Sequence, residues 1–100
     1  MALRVVFRRQ VGRDLAAGFQ HYEARQAGLG ERFLKRTRAS FEAIERYPEI
    51  FAVVHADVRR ALVSRFPYAV FYRVEQHRIV VLRVLHTARD PRKWPQLRRP

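Results

Sequence analysis

Residues 59–94 decide the fold of this 100-residue chain: RRALVSRFPYAVFYRVEQHRIVVLRVLHTARDPRKW. Apolar and polar positions form three strand-like runs within it, at 61–66, 68–75 and 78–86. Pro67 separates the first two runs, and Gln76-His77 lies at the centre of a two-residue hairpin turn between the last two. The stretch therefore predicts three consecutive antiparallel strands.

The residues before this meander predict one more strand and two helices. Residues 3–8 alternate between apolar and arginine positions, which is a strand pattern. The first helix is predicted to end near Gly28, and the second to run from about Gly30 to Pro48, because the residue before a proline avoids the helical region. Their apolar stripes are Val11, Leu15, Phe19 and Tyr22, and Leu34, Thr37, Phe41 and Ile44. Residues 50–58 are predicted to be a loop.

These elements predict a single α+β domain over residues 1–100, in the order β-α-α-β-β-β. A helical hairpin packs on a mainly antiparallel four-stranded sheet. A two-residue turn would also pair Glu75 with Arg78 across the hairpin.

The last two predicted strands are apolar on both faces. In the predicted register, the first face carries Tyr68, Val70, Tyr72, Val74, Ile79, Val81, Arg83 and Leu85. The second face carries Ala69, Phe71, Arg73, Val80, Leu82, Val84 and His86. Two helices cover only one face of a sheet. The second face is therefore predicted to be an apolar surface for a partner protein, and the alternative is a cover formed by residues 90–100, anchored by Trp94 and Leu97.

Positive charge is the outlier in the composition. Lys and Arg total 21 against 9 Asp and Glu, which gives a net charge of +12, and only Lys35 and Lys93 are lysines. Such a charge attracts polyanions and acidic proteins, and guanidinium groups suit bidentate contacts with carboxylates and phosphates. A solvated surface from an arginine-rich proteome is the alternative explanation for the preference for arginine.

Several classes of protein are excluded by composition. With 48% hydrophobic residues the chain is predicted to be folded rather than disordered. The absence of cysteine excludes disulfide scaffolds and thiolate chemistry. No apolar run approaches the roughly 18 residues of a membrane span, and the N-terminus resembles a strand more than a signal peptide, so we expect a cytoplasmic protein. The histidines show no ligand spacing with Asp or Glu, so no metal and no cofactor is expected.

Three segments, in the predicted order of elements, resemble the RelE/ParE superfamily, the small toxins of bacterial type II toxin–antitoxin systems. They are VRRA at 58–61, FPYAVFYRV at 66–74 and VLHTARDP at 84–91. The resemblance covers essentially the whole chain. It implies a cognate antitoxin, whose acidic, amphipathic C-terminal segment wraps the toxin and whose N-terminal part binds operator DNA, and hence a hetero-oligomer.

The superfamily holds two activities, since RelE-like toxins cut messenger RNA in the ribosome and ParE-like toxins poison DNA gyrase. Metal-independent RNA cleavage needs a general base, cations that stabilise the phosphorane, and an acid. RelE-like nucleases often carry an arginine where this chain has Ala69, and basic or aromatic residues where it has Thr87-Ala88. The resemblance therefore favours a ParE-like growth inhibitor that binds gyrase and has no catalytic residues.

Two other functions remain open on the sequence. The first is a RelE-like ribosome-dependent endoribonuclease, which would use His86, Arg89 and Arg59. The second is a non-toxic, basic nucleic-acid-binding module, although the strands lack the exposed aromatic platform of single-strand binders.

Seven residues in and after the meander are predicted to contact the antitoxin or the target: Arg65, Phe71, Arg73, Arg83, His86, Arg89 and Trp94. Arg73 and Arg83 interrupt apolar strands, where an unpaired charge would be costly. Their alternative role is a structural ion pair with Glu75 or Asp90, or a packed stem whose head reaches water. For His86 the alternative is packing at the sheet edge, and for Trp94 it is sealing the core as an anchor of the C-terminal tail.

Overall fold

The computed structural model describes residues 3–88, and they form seven elements in the predicted order with one additional strand. The elements are β1 Arg4–Phe7, α1 Arg9–Arg25, α2 Leu29–Arg46, β2 Val53–His55, β3 Val58–Leu62, β4 Tyr68–Val74 and β5 Arg78–His86. The α+β class and the helical hairpin are confirmed. Neither α1 nor α2 has the length and apolarity that a membrane span requires.

The strands form one sheet in the order β1-β5-β4-β3-β2. Strand β1 lies parallel to β5 at one edge, and every other neighbouring pair is antiparallel. The predicted four strands are thus corrected to five in the described residues, because β2 lies inside the predicted loop 50–58. With three residues and a register shift against β3, β2 is too short to show a two-residue period in the sequence.

The first strand of the meander also differs from its prediction. The sequence predicts it at 61–66, but the corresponding strand, β3, occupies Val58–Leu62. The residues after Leu62 form the turn to β4, and Arg65 adopts a φ of 73° in this turn, which is incompatible with a continuing strand.

The hairpin between β4 and β5 has the predicted two-residue turn but contains a β-bulge that the sequence did not predict. The Glu75 N–H donates to the Arg78 carbonyl at 2.8 Å, which confirms the turn at Gln76-His77. The pairing then shifts, since Tyr72 pairs with Val81 whereas Phe71 pairs with Arg83. One extra residue reverses the alternation of side chains beyond it. The predicted faces of the residues after the bulge, including Val84 and Leu85, are therefore corrected.

Both helices pack on the same face of the sheet and form the main core with it. Its centre is an aromatic cluster in which Tyr22 lies 4.8 Å from Phe66 and Phe33 lies 4.9 Å from Tyr68, measured between ring centroids. Phe33 is fully buried although the predicted stripe of α2 omitted it. Gly18 of α1 permits this packing, because a Cβ at that position would lie 2.5 Å from the Phe33 ring.

The link between the helices is held by one carboxylate. Glu23 accepts hydrogen bonds from the backbone N–H groups of Gly28 and Gly30, each at 3.0 Å. Gly28 has a φ of 90°, which glycine adopts without steric cost. The two N–H groups lie at the start of α2, where no earlier helical carbonyl can accept them, so Glu23 acts as a cap supplied by the preceding helix.

The second face of the sheet carries a smaller cluster made entirely of strand residues: Val58, Ala69, Phe71, Val80, Leu82 and Leu85, with Val6 and Val54 packed against it. Each of the first six is at most 7% exposed. The prediction of an exposed apolar face is therefore wrong for these side chains. The alternative prediction, a cover formed by residues 90–100 with Trp94 and Leu97, lies outside the described residues.

Candidate functional site

Three arginines lie at the turn end of the β4–β5 hairpin, and we name them the hairpin-end arginine cluster: Arg4, Arg73 and Arg78. The parallel pairing of β1 and β5 places Arg4 directly beside Arg78, at the strand spacing of about 4.8 Å. Val6 and Val80 lie two residues further along these strands and belong to the second face. Side chains two residues apart share a face, so both arginines project from the second face.

Glu75 is the acidic residue of this cluster. Its carboxylate binds Arg78 Nε at 2.6 Å and Arg73 Nε at 3.3 Å. The predicted Glu75–Arg78 contact is thus confirmed, and the structural ion pair foreseen for Arg73 forms as well. The hydrogen bond from Arg78, together with that from Arg73, holds the pKa of Glu75 below its usual value. Glu75 therefore pairs with two of the three guanidinium groups, and the cluster as a whole keeps a positive charge.

Arg73 is the buried member of the cluster. It is 5% exposed, and its Nη1 atom is buried without a hydrogen-bond partner among the described residues. A buried donor without an acceptor costs about 1–3 kcal/mol, and more when the group is charged. A carboxylate oxygen can reach this atom only where the second face opens, and it would then gain a charge-assisted hydrogen bond.

Arg83 has a structural partner that was not among those predicted. Its Nε and Nη2 atoms donate to the two carboxylate oxygens of Asp14 at 2.8 and 2.9 Å. The same carboxylate accepts the backbone N–H of Val84 at 3.0 Å. Asp14 on α1 thus fixes the helix to β5 just after the bulge, and it takes the place predicted for Glu75 as the partner of Arg83, while the predicted alternative Asp90 lies outside the described residues.

The other predicted contact residues are dispersed. Arg65 is exposed in the β3–β4 turn, and Phe71 is buried in the second face. His86 is exposed at the end of β5, where its Nδ1 atom accepts the Ala88 N–H at 3.1 Å and its ring contacts Tyr68 edge-on. Arg89 and Trp94 lie outside the described residues.

The candidate nuclease residues do not form one site in the described part of the chain. Arg59 lies level with Tyr72 in the sheet, whereas His86 lies level with Tyr68. Four residues of strand separate these levels, which is about 13 Å. The Arg59 guanidinium donates to the carbonyls of Glu49 and Phe51 at 3.1 and 2.7 Å and so anchors the segment before β2. Arg89, the third candidate, falls outside the described residues.

Within residues 3–88, no group of three or more His, Asp or Glu side chains lies close enough together to hold a metal ion.

Comparison with known proteins identifies the family. The family model of the ParE toxin of type II toxin–antitoxin systems, parDE, matches residues 5–91. The chain belongs to the ParE toxin family. A solved structure from the chromosomal ParDE toxin–antitoxin system of P. aeruginosa superposes with a TM-score of 0.77. It shares 18% sequence identity, and the match covers 85% of this chain and 96% of that one, which establishes the common fold. No curated protein sequence matches the chain.

Sequence reasoning missed Arg4 and Arg78 as members of the hairpin-end arginine cluster. The position of β1 in the sheet was open on the sequence, so nothing brought Arg4 to the hairpin. Arg78 was recognised only as the partner of Glu75. A sequence signal was available only if β1 was assumed to pair in parallel with β5, because that register brings Arg4 next to Arg78.

Proposed function

We propose that this ParE-family toxin inhibits growth by binding DNA gyrase and that a cognate antitoxin neutralises it. The observation that carries the proposal is the family match over residues 5–91 on a fold that separates Arg59 from His86. Within residues 3–88 these two candidate nuclease residues do not meet at one phosphate, which supports action by binding rather than by cleavage.

The antitoxin contact is proposed at the hairpin-end arginine cluster. An acidic segment at the second face would supply carboxylates to the exposed heads of Arg4 and Arg78 and, where the face opens, to the buried Arg73 Nη1. Charge-assisted hydrogen bonds of this kind are roughly twice as strong as neutral ones. His86, Arg89 and Trp94, at and beyond the end of β5, are proposed as further contacts with the antitoxin or with gyrase.

Phe71 and Arg83 stay predicted partner contacts, but each would first have to become accessible. Phe71 is 1% exposed, and Arg83 is bonded to Asp14. Each can contact a partner only after the second face or the Asp14 contact opens.

The target is tested with the full chain and two purified systems. Added to gyrase with relaxed plasmid, the protein is expected to block supercoiling or to trap cleaved DNA. Added to translating ribosomes, it is expected to leave messenger RNA intact. Site-specific cleavage of the messenger by the ribosome-bound protein would contradict the gyrase proposal and support the endoribonuclease alternative.

The antitoxin contact is tested separately with the protein encoded by the neighbouring reading frame. Substitution of Arg73→Gln is expected to weaken binding by roughly tenfold or more, since a charge-assisted contact is lost. Arg46→Gln removes the same charge from the exposed end of α2 and serves as the matched control. Equal affinities for the two variants would contradict the proposed contact.

A further inference from the structure

Helix α2 carries an unbroken line of basic and small side chains on its exposed side, which we name the basic stripe: Arg32, Arg36, Ala39, Ala43 and Arg46. They recur at alternating spacings of four and three residues, which places them along one face of the helix. The line is about 21 Å long, at a rise of roughly 1.5 Å per residue. Its arginines are exposed, and it contains no acidic residue. The alanines project little, so an extended partner can approach the helix closely.

A second exposed stripe of α2 differs in charge, and we name it the mixed stripe. It combines acidic and basic side chains at the same spacings: Glu31, Lys35, Arg38, Glu42 and Glu45. Each basic residue of the mixed stripe has a glutamate one helical turn away, whereas Arg32 and Arg36 have no acidic residue at that spacing and repel each other. The positive charge of α2 is thus concentrated on one face. Solubility does not require this, because interspersed charges serve it as well.

The β3–β4 turn adds a further guanidinium group next to the start of the basic stripe. Arg65 in this turn lines one cavity, of about 410 Å³, together with Arg32 and Arg36. None of these arginines forms an ion pair within residues 3–88. Glu23 also lies at this end of α2, but its carboxylate accepts two backbone N–H groups of the link between the helices. The surface is therefore suited to a ligand that brings several negative groups.

The backbone at Arg65 is a second, independent observation. Its φ of 73° lies in the left-handed region, which is disfavoured for any residue with a Cβ and which glycine would adopt freely. Backbone strain of this kind is concentrated at functional sites, where a particular side chain is needed. At this turn the strained residue supplies a guanidinium group to the surface that the basic stripe begins.

The composition of the basic stripe favours a phosphate backbone over an acidic protein segment. Beyond the cavity its apolar residues are only Ala39 and Ala43, so an amphipathic segment would find no pockets for successive apolar anchors. A nucleic acid needs no such pockets, because neutralisation of its phosphates and release of counterions supply the affinity.

Within the nucleic acids, the same residues favour duplex DNA. The rings of Tyr22 and Phe33 are 7% and 0% exposed, so they offer no open face on which the bases of a single strand could stack. Duplex RNA is recognised in part through its 2′-hydroxyl groups. Arginine and alanine side chains carry no acceptor for a hydroxyl proton.

We propose that the basic stripe and Arg65 bind the phosphate backbone of duplex DNA. Arg32, Arg36 and Arg65 contact phosphates around the mouth of the cavity, and Arg46 contacts a further phosphate at the other end of the stripe. Contacts with the backbone fix position without reading the bases, so no sequence preference is expected. The inference goes beyond the proposed function, since it requires neither gyrase nor the antitoxin, and its test contains neither.

The test is the salt dependence with which the full chain binds a short, fluorescently labelled DNA duplex, measured by anisotropy between about 50 and 200 mM sodium chloride. Four phosphate contacts predict that log K falls with log salt concentration at a slope of about −3 to −4, since each contact contributes roughly −0.9. A duplex of unrelated sequence is expected to give the same affinity within about threefold.

Two double variants separate the stripe from the general charge of the protein. Arg32→Gln with Arg36→Gln is expected to weaken binding more than tenfold near 100 mM salt and to reduce the magnitude of the slope by about 2. The matched control, Lys35→Gln with Arg38→Gln, removes the same charge from the mixed stripe of the same helix. It is expected to keep the affinity within about threefold, because it removes no phosphate contact and changes only screened, longer-range attraction.

Four outcomes would overturn the proposal. The first two are no saturable binding of the duplex and equal losses in the two double variants. The third is tighter binding of single-stranded DNA or duplex RNA of the same sequence than of duplex DNA. The fourth is displacement of the DNA by a glutamate-rich peptide of equal charge that itself loses affinity selectively in the stripe variant, which would assign the surface to an acidic protein.

Arg65→Gly separates a binding role from a structural one. Glycine relieves the left-handed strain, so the variant is expected to melt within a few degrees of the parent protein or above it, while the magnitude of its salt slope falls by about 1. Arg65→Lys keeps the charge and is expected to keep the slope. A clear drop in the melting temperature of the glycine variant with an unchanged slope would assign Arg65 to the fold and contradict its place in the DNA contact.

Discussion

At the scale of single residues, Asp14 joins α1 to β5 through a largely buried ion pair. Its carboxylate accepts two hydrogen bonds from Arg83 and one from the Val84 backbone. Both side chains are largely buried, at 9% and 14% exposed. The geometry satisfies the charges that burial removes from water, which is the condition under which a buried ion pair is tolerated.

Replacement of Asp14 with Ala is therefore expected to destabilise the fold by about 3–5 kcal/mol, because Arg83 keeps a charge in a largely buried site without a counterion. The measurement is the free energy of unfolding from urea titration. A compensated variant, Asp14→Leu with Arg83→Met, is expected to recover much of the loss. A loss below about 1 kcal/mol in the alanine variant would show that Arg83 reaches water and does not depend on Asp14.

Tyr72 provides a pH-dependent contribution to stability. Its hydroxyl is buried and donates to the Pro48 carbonyl at 2.6 Å, and burial raises its pKa to about 12. In the unfolded chain a tyrosine ionises near pH 10. The contribution of Tyr72 is thus complete below pH 10 and is lost as the pH rises from about 10 to 12, by an amount on the order of 3 kcal/mol.

Alkaline unfolding of the parent protein and of the Tyr72→Phe variant tests this contribution. The variant is expected to be less stable near pH 7, by about 1 kcal/mol, because the hydrogen bond is lost. Its stability should then fall less steeply above pH 10. Some slope remains, because burial also raises the pKa of Tyr22. Parallel curves for the two proteins would contradict the assignment to Tyr72.

The residue contacts that the sequence predicted are local ones. Glu75 and Arg78 flank a two-residue turn, so the turn alone brings them together. Asp14 and Arg83 are 69 residues apart, and their contact depends on where α1 crosses β5. Spacing rules apply within one element, so they do not relate Asp14 to Arg83. The sequence therefore predicted only nearby acidic residues as partners of Arg83.

At the scale of elements, the packing of α1 on α2 depends on a missing side chain. A Cβ at Gly18 would lie 2.5 Å from the Phe33 ring, whereas one at Gly12 on the same helix would meet nothing within 4 Å. Phe33 is fully buried within the aromatic cluster and has little room to move.

Gly18→Ala is accordingly expected to destabilise the fold by about 1–3 kcal/mol, since it forces an extra methyl group into a packed interface. Gly12→Ala is the matched control and is expected to stabilise the helix by up to about 1 kcal/mol, because it removes backbone entropy at an open site. Thermal unfolding of the two variants compares them directly. Shifts of the same sign would show that helix propensity, rather than the close approach of the helices, determines the effect.

The helices and the last two strands could be predicted because their hydrophobic periods extend over several residues. Strand β5 has the predicted bounds, and β4 differs from its prediction by one residue. The bulge in β5 and the three residues of β2 could not be predicted, since each depends on pairing with a neighbouring strand. The composition of the second face was predicted up to the bulge, but the burial of its side chains was not.

At the scale of the whole molecule, net charge works against the compact state. Basic residues outnumber acidic ones by 21 to 9. Three ion pairs within residues 3–88 involve Arg73, Arg78 and Arg83. Most of the remaining positive charge therefore repels itself across a small surface.

Stability is consequently expected to increase with salt concentration, because salt screens the repulsion between exposed arginines more strongly than it weakens the buried Asp14–Arg83 contact. Unfolding free energies in dilute buffer and in molar sodium chloride give the comparison. Sodium sulfate at equal ionic strength distinguishes screening from anion binding, which would stabilise further. A decrease in stability with added sodium chloride would mean that favourable ion pairs outweigh the repulsion.

The neighbours β1 and β5 lie at opposite ends of the described chain, with Arg4 beside Arg78 and Phe7 beside Val81. During translation the first strand consequently waits, without its pairing edge, until the last strand has been synthesised. A product terminated before residue 78 would lack β5, and β1 would then have no strand with which to pair. Such a product would lack Arg78, and Arg4 would not be held beside the hairpin, so only Arg73 of the hairpin-end arginine cluster would keep its place in the sheet. A chain that ends before β5 is therefore expected to lack the surface proposed to bind the antitoxin.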